Sequence, residues 1–203
     1  MGVGSARPKR LAIGATVVTP HLGAAIRSRY TIRDGEVIIR AELPKDGAAI
    51  RAVNVSAFET ALEANLVDAL REQADPVLSL VADDEGVVVG HIMFSPVALS
   101  GHPPLQIMGL APMAVSPGRQ RAGIGSALVR AGLEQCARLG FGAVVVLGHP
   151  AYYPRFGFVP STRFGIGCEY DVPEDVFMVM ELQPRYLLGA YGTIKYHAAF
   201  SNV

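Results

Sequence analysis

Apolar positions recur with two different periods along the chain, and the switches between them mark the predicted elements. The segment "EVIIRAEL" (36–43) reads as a short strand. Pro44 then opens "PKDGAAIRAVNVSAF", where Ile50, Val53 and Phe58 predict a core-facing helix. In "TALEANLVDALREQ" (60–73), Leu62, Leu66, Ala69 and Leu70 recur at three- and four-residue steps, which predicts a second helix ending at Asp75-Pro76. Residues 77–99 form two apolar runs around the polar turn Asp83-Asp84-Glu85-Gly86, the pattern of a hairpin. "LQIMGLAPMAV" (105–115) is a further strand, and its Pro112 removes a ladder N–H and predicts a bulge. A glycine-containing turn leads into a helix to about Leu139, with Ile124, Ala127, Leu128 and Ala131 on one face and Gly140 and Gly142 after it. "AVVVL" (143–147) is apolar throughout, as a strand covered on both faces should be. "PAYYPRFGF" (150–158) reads as a short helix or turn, and "VFMVMEL" (176–182) as a last strand.

The resulting order, β-α-α-β-β-β-α-β-α-β, predicts an α/β fold with a mixed central sheet and helices on both faces. At its centre is a strand-helix-strand unit over 105–147. The glycine turn there joins a strand C-terminus to a helix N-terminus, which is where open sheets bind ligands. The 203 residues, 50% hydrophobic and 18% charged, suit one domain with a sizeable core, placed at 34–203. Residues 1–33 read as an N-terminal extension, either poorly ordered or a targeting segment. Every charge up to Arg33 is basic, and the apolar stretch at 11–26 is interrupted by Pro20 and His21 and is short for a membrane span. A net charge of zero gives no field for nucleic acid, so neither a nucleic-acid nor a membrane partner is expected. Cys136 and Cys168 have no metal-ligand spacing and read as reduced thiols of a cytoplasmic protein.

The chemistry concentrates in "RQRAGIGSALV" (119–129). A glycine-rich turn opening a helix presents free N–H groups to an anion. It is no Walker A loop, because Gly125-Ser126 lacks the lysine, and no dinucleotide fingerprint, because Leu128 stands where a third glycine is needed. The kinase set HRD and DFG is absent as well.

"LAPMAVSPGRQRAGIGSALV" resembles the acetyl-CoA signature of the GNAT superfamily of N-acetyltransferases, Q/R-x-x-G-x-G/A after a strand ending in A-V-x-P. Gln120, Arg121, Ala122, Gly123, Ile124 and Gly125 carry it, after Ala114, Val115, Ser116 and Pro117. "AYYPRFGF" is similar to the family's F-Y-x-x-x-G-F element, through Tyr152, Tyr153, Gly157 and Phe158. The likeness covers about residues 36–182, and "CEYDVPEDVFMVMEL" and "GTIKYHAAF" resemble the YhbS-like branch.

The resemblance implies a splayed parallel strand pair and acetyl-CoA as cosubstrate. Its pyrophosphate would lie on N–H groups from Arg121 to Ser126, with charge added by Arg119 or Arg121. Its amide-bearing arm would pair with Met113, Ala114 and Val115. The implied activity is direct acetyl transfer to a primary amine in a ternary complex, with Tyr153 as general acid and a backbone N–H of Met113 or Ala114 at the developing oxyanion. The base is not marked. The 105–115 strand has no Glu, and Glu59, Glu63, His91, His102 and His149 are the candidates, with His149 foremost because it follows the AVVVL strand. The acceptor is a small-molecule or protein amine, and both a monomer and a homodimer are compatible with the sequence. The alternative is a non-catalytic acyl-CoA sensor or partner-binding domain of the same fold.

Overall fold

The structure is a computed structural model and describes residues 26–102 and 104–202. Its sheet is built from β1 (Arg27–Ile32), β2 (Gly35–Ala41), β3 (Leu78–Asp84), β4 (Val87–Leu99), β5 (Ile107–Val115), β6 (Ala143–Leu147), β7 (Val159–Pro160), β8 (Ile166–Cys168), β9 (Phe177–Glu181) and β10 (Gly192–Lys195). The spatial order is β1-β2-β3-β4-β5-β6-β9-β7, with β10 pairing both β4 and β8. Along the main path only β5 and β6 run parallel. Antiparallel neighbours can be joined by tight turns, whereas a parallel pair needs a crossover. Here α3 (Ile124–Arg138) is that crossover, as the sequence pattern predicts.

Alternate residues of the central strands feed two cores. Leu80, Ile92, Phe94, Met108, Leu110, Val144 and Val146 face α3 and pack with its Leu128 and Ala131. Val81 and Met93 point the other way, toward Ile50 of α1 (Gly47–Ala57) and Leu66, Val67 and Leu70 of α2 (Leu62–Gln73). A third cluster, with Val97, Ile107, Val145, Val179 and Ile194, fills the far end under β8 and β10. Both faces are therefore covered, and the α3 face is packed to contact. A Cβ at Gly132 of α3 would lie 2.3 Å from the Phe94 ring. Among the described residues no helix is long and apolar enough to cross a membrane.

The ordered fold begins earlier than the boundary at residue 33. Arg27–Ile32 pair with β2 along their whole length, Ile32 enters the core, and the Arg33 N–H donates to the Ala122 carbonyl at 2.8 Å. This strand escapes a hydrophobicity pattern because it is an edge strand with Arg27, Ser28 and Arg29 exposed. Residues 1–25, with most of the apolar N-terminal stretch, lie outside the described residues. The second crossover, after β6, contains only the 3-10 turn Tyr153–Phe156. Three short strands, β7, β8 and β10, have too few residues to show a period.

One buried polar chain ties α1 to the sheet. His91 of β4 is fully enclosed. Asn54 Nδ2 donates to the Ile50 carbonyl at 2.9 Å and lies 3.2 Å from His91 Nδ1, and Ser79 Oγ lies 2.9 Å from His91 Nε2. An amide nitrogen has only protons to offer, so Nδ1 accepts and Nε2–H donates to Ser79. The Ser79 hydroxyl then donates to Glu42, whose other oxygen accepts from Arg71 at 2.7 Å. Burial, helped by the Arg71 charge, pushes the His91 pKa down from 6.5 to about 3.

The unfolded chain therefore binds a proton at His91 that the folded chain refuses. The stability this site contributes is present above the unfolded value of 6.5 and is lost as pH falls below it toward about 3. The loss approaches about 1.4 kcal/mol per pH unit within that window. Replacing His91 by Gln removes that proton uptake. The drop in melting temperature between about pH 7 and about pH 5 is expected to be smaller in the variant than in the parent, read by circular dichroism at both values.

Candidate functional site

Pairing between β5 and β6 stops partway along β5. The last matched residues are Leu110 and Val146, and Ala111 to Val115 have no partner on that side. On the other side the register of β4 and β5 shifts between Ile92 and Phe94, and Pro112 falls opposite that shift. The bulge expected at Pro112 is present as this irregularity. Ser116 N–H donates to the Val89 carbonyl of β4 at 2.9 Å. Alternation along a strand then turns Ala114 toward β4 and leaves the backbone groups of Met113 and Val115 facing the gap. Of the two expected oxyanion donors, the N–H of Met113 faces the opening and that of Ala114 does not.

Beyond β5 the chain makes a 3-10 turn, Pro117–Arg119, and then the glycine segment. Gly123 has φ +103° and Arg121 φ +62°, the left-handed region that glycine enters without cost. Ala127 is the first residue of the turn to bond back, to the Gly123 carbonyl at 3.0 Å. None of the N–H groups from Arg121 to Ser126 donates within the described residues. Ala122 and Ile124 bury their side chains in the core, so they offer backbone alone. Gln120 Nε2 caps the Val115 carbonyl at 3.0 Å and holds the turn against the end of β5. Arg121 is exposed and makes no ion pair among the described residues, whereas the Arg119 guanidinium is engaged by Asp84 of the β3–β4 hairpin. The free positive charge at this turn is thus Arg121.

The aromatic turn after β6 closes the other side. A Cβ at Gly125 would lie 3.0 Å from the Tyr152 hydroxyl and 3.7 Å from Met113 Cε, so Met113, Gly125 and Tyr152 converge at the start of α3. Tyr153 packs edge-on against Tyr152, with ring centres 5.1 Å apart, and against Phe158 at 5.6 Å. Its ring needs Gly148, where a Cβ would lie 2.1 Å away. Burial, with Tyr152 beside it, raises the Tyr153 pKa well above that of an ordinary phenol, so it carries its proton at neutral pH. His149 is exposed, and its carbonyl accepts from Tyr152 N–H at 2.9 Å and Tyr153 N–H at 3.4 Å. Of the other base candidates, His91 is sealed in the network under α1, Glu59 is exposed, and His102 accepts from the Tyr191 N–H at 3.4 Å. Tyr152 is the residue whose position sequence reasoning missed. The motif includes it, but only the folded chain brings its hydroxyl to α3.

An open sheet whose central parallel strands part next to a row of free N–H groups at a helix start can take an extended amide-bearing ligand with an anionic end. The Acetyltransferase (GNAT) family matches over residues 48–158. The chain is 40% identical over 167 residues to the uncharacterized N-acetyltransferase YhbS of Escherichia coli K12, covering 82% of this chain and 99% of that one. It is 41% identical over 153 residues to the uncharacterized N-acetyltransferase YjhQ of the same organism, covering 71% and 84%. A crystal structure of E. coli YhbS in complex with CoA superposes with a TM-score of 0.78 at 37% identity, covering 86% of this chain and 95% of that one. A GNAT family acetyltransferase from Brucella melitensis in complex with acetyl-CoA gives 0.66 at 39% identity, covering 80% and 96%. The chain belongs to the GNAT family of acetyltransferases, as the two motifs imply.

Gly125→Asp places a carboxylate and a Cβ against the N–H row and the Tyr152 hydroxyl. Calorimetric titration is expected to show acetyl-CoA affinity reduced by at least about a hundredfold, since a like charge set against a bound anion costs several kcal/mol. Unchanged affinity in a folded variant would show that no phosphate sits on this turn.

Proposed function

We propose that the protein transfers an acetyl group from acetyl-CoA to a primary amine, directly, with both substrates bound together. The observation that carries this reading is the unbroken run of free N–H groups from Arg121 to Ser126, set at the mouth of the opening between β5 and β6. The E. coli and Brucella relatives were crystallised with CoA and with acetyl-CoA, which supports the same ligand here. The fit is chemical as well. A pyrophosphate is an anion needing several donors, and the turn offers them together with the positive end of the α3 dipole and the Arg121 charge. The amide-bearing arm is a strand-like partner for the backbone groups of Met113 and the N–H of Val115 at this edge.

When bound, acetyl-CoA supplies an activated acyl group and a thiol leaving group. The protein's own residues do the rest. The N–H of Met113 faces the gap and stabilises negative charge developing on the acyl oxygen. Tyr153 holds a proton at neutral pH and donates it to the departing thiolate. His149, exposed at the mouth behind β6, accepts the proton that the amine loses or passes it to water. Acetyl-CoA is made and used inside the cell, so the enzyme is placed in the cytoplasm.

The first experiment is thermal unfolding of the full chain with and without acetyl-CoA, because a ligand bound only by the folded state raises the melting temperature. A rise with acetyl-CoA and with CoA is expected. No shift at millimolar ligand would move the reading to an inert partner-binding domain. Tyr153→Phe keeps the ring packing and removes the proton. Turnover is expected to fall by about a hundredfold or more, with acetyl-CoA affinity unchanged. Full turnover in this variant would remove Tyr153 from the mechanism.

A further inference from the structure

Tyr152 carries a hydroxyl that the packing of the aromatic turn does not use. Its ring meets Tyr153 edge-on at 5.1 Å and Phe156 at 5.3 Å between centres, and the Arg155 guanidinium lies over it at 4.7 Å. Its backbone N–H donates to the His149 carbonyl at 2.9 Å. A phenylalanine would make each of these contacts, and the element F-Y-x-x-x-G-F that this segment resembles has Phe at the position. The hydroxyl itself makes no hydrogen bond among the described residues. The side chain is half-buried, with its ring held in place and its polar end unpaired. A tyrosine in such surroundings ordinarily gives its O–H to a partner.

The place of that hydroxyl is set by Gly125. This glycine is the second residue of α3 and has no positive φ, so an alanine could adopt its backbone. A helical Cβ tilts toward the helix N-terminus, the direction in which the N–H groups of the first turn also point. The Tyr152 hydroxyl lies 3.0 Å from where that Cβ would be, and Met113 Cε and Sδ lie 3.7 and 3.8 Å from the same position. The hydroxyl therefore stands at the mouth of α3, between the N–H row from Arg121 to Ser126 and the Met113 side chain of β5. A ligand with its anion on the row and its arm along β5 passes beside it.

Gly125 and Tyr152 also fit each other. A contact of 3.0 Å is tighter than a Cβ ordinarily makes, whereas 3.7 Å to Met113 is normal van der Waals distance. The acetyl-CoA signature accepts Gly or Ala at this position, so the turn alone does not demand glycine. The missing Cβ leaves the hydroxyl its space.

We propose that the Tyr152 hydroxyl is a side-chain donor of the acetyl-CoA site, bonding a phosphate oxygen where the ligand leaves the N–H row for the β5 edge, and that Gly125 makes room for it. This inference rests on the acetyl-CoA reading of the turn. The backbone row meets the pyrophosphate at the helix start, and the phenol adds a donor beside it. The ring is already fixed by Tyr153, Phe156 and Arg155, so forming the bond costs little side-chain ordering. The two adjacent tyrosines then divide the work, Tyr152 holding the donor molecule and Tyr153 serving its thiol.

The test is calorimetric titration of the full chain with CoA, which needs no acceptor amine. Tyr152→Phe keeps the ring and is expected to lower CoA affinity by at least about tenfold, the worth of a hydrogen bond to a charged group. Its melting temperature without ligand should match the parent, and the rise caused by CoA should shrink. Tyr153→Phe should bind CoA as the parent does. Gly125→Ala should lose affinity by pushing the hydroxyl aside, and the double variant Tyr152→Phe with Gly125→Ala should bind no more weakly than Tyr152→Phe alone, because both changes act on one group. Unchanged affinity in Tyr152→Phe, in a parent that binds CoA, overturns the inference and leaves the acetyl-CoA reading standing. Equal losses in the two tyrosine variants assign the effect to packing of the aromatic turn and overturn it as well. Additive losses in the double variant overturn the pairing of Gly125 with Tyr152. A parent that binds no CoA overturns the acetyl-CoA reading and this proposal with it.

Discussion

Backbone hydrogen bonds between β5 and β6 end at Leu110 and Val146, and the free edge that follows organises the rest of the molecule. An unpaired strand edge in the middle of a sheet is costly unless something else satisfies it. Here the strands cannot simply close up. On its other side β5 is held to β4 by a shifted register, and Pro112 has no N–H to contribute to a ladder. Past Val115 the chain turns at once into the glycine segment, which Gln120 and the Arg33 contact pin against the strand end. The gap and the free N–H groups are therefore one continuous feature of backbone.

The scaffold around this gap is rigid where the gap needs walls. On one face α3 packs so closely that Gly132 touches the Phe94 ring, and Gly90 admits Ile124 and Leu128 at contact distance. On the other, hydrogen bonds from Asn54 through His91 and Ser79 to Glu42 and Arg71 tie α1 and α2 to the β2–β4 side of the sheet. His91 sits directly opposite Ala114, so this network braces the stretch of β5 that borders the gap. Each bonded link of such a buried network stiffens the structure, while Asn54 Oδ1 has no partner among the described residues. The same face also holds Glu63 Oε2, Ser95 Oγ and Tyr196 Oη without partners among the described residues.

Two tyrosines side by side show how small displacements sort roles. Tyr153 turns inward to Gly148 and Phe158, where burial keeps its proton in place. Tyr152 turns to the start of α3 and lies under the Arg155 guanidinium, 4.7 Å from its ring centre. The His149 carbonyl receives both backbone N–H groups, so one loop residue sets the position of both rings.

Much of the fold was legible because it depends on local periodicity. The helices at Gly47–Ala57, Leu62–Gln73 and Ile124–Arg138 and the strands from β2 to β6 and β9 follow from apolar spacing, and Gly123 and Gly125 announced the turn by chemistry that neighbouring residues alone impose. The edge strand Arg27–Ile32 and the two- to four-residue strands did not, since exposed or very short segments carry no period. The glycine turn could be read because its free N–H groups are consecutive in the chain. The engagement of Arg119 by Asp84, the enclosure of His91 and the orientation of Met113 rather than Ala114 toward the opening could not. Each joins residues distant in sequence, and strand register, helix placement and packing across the sheet decide such meetings. By itself the sequence determined most of the elements and the glycine turn that opens α3. Tertiary structure alone decided which side chains are sealed, which are paired and which are left without a partner, because register and packing bring together residues far apart in the chain.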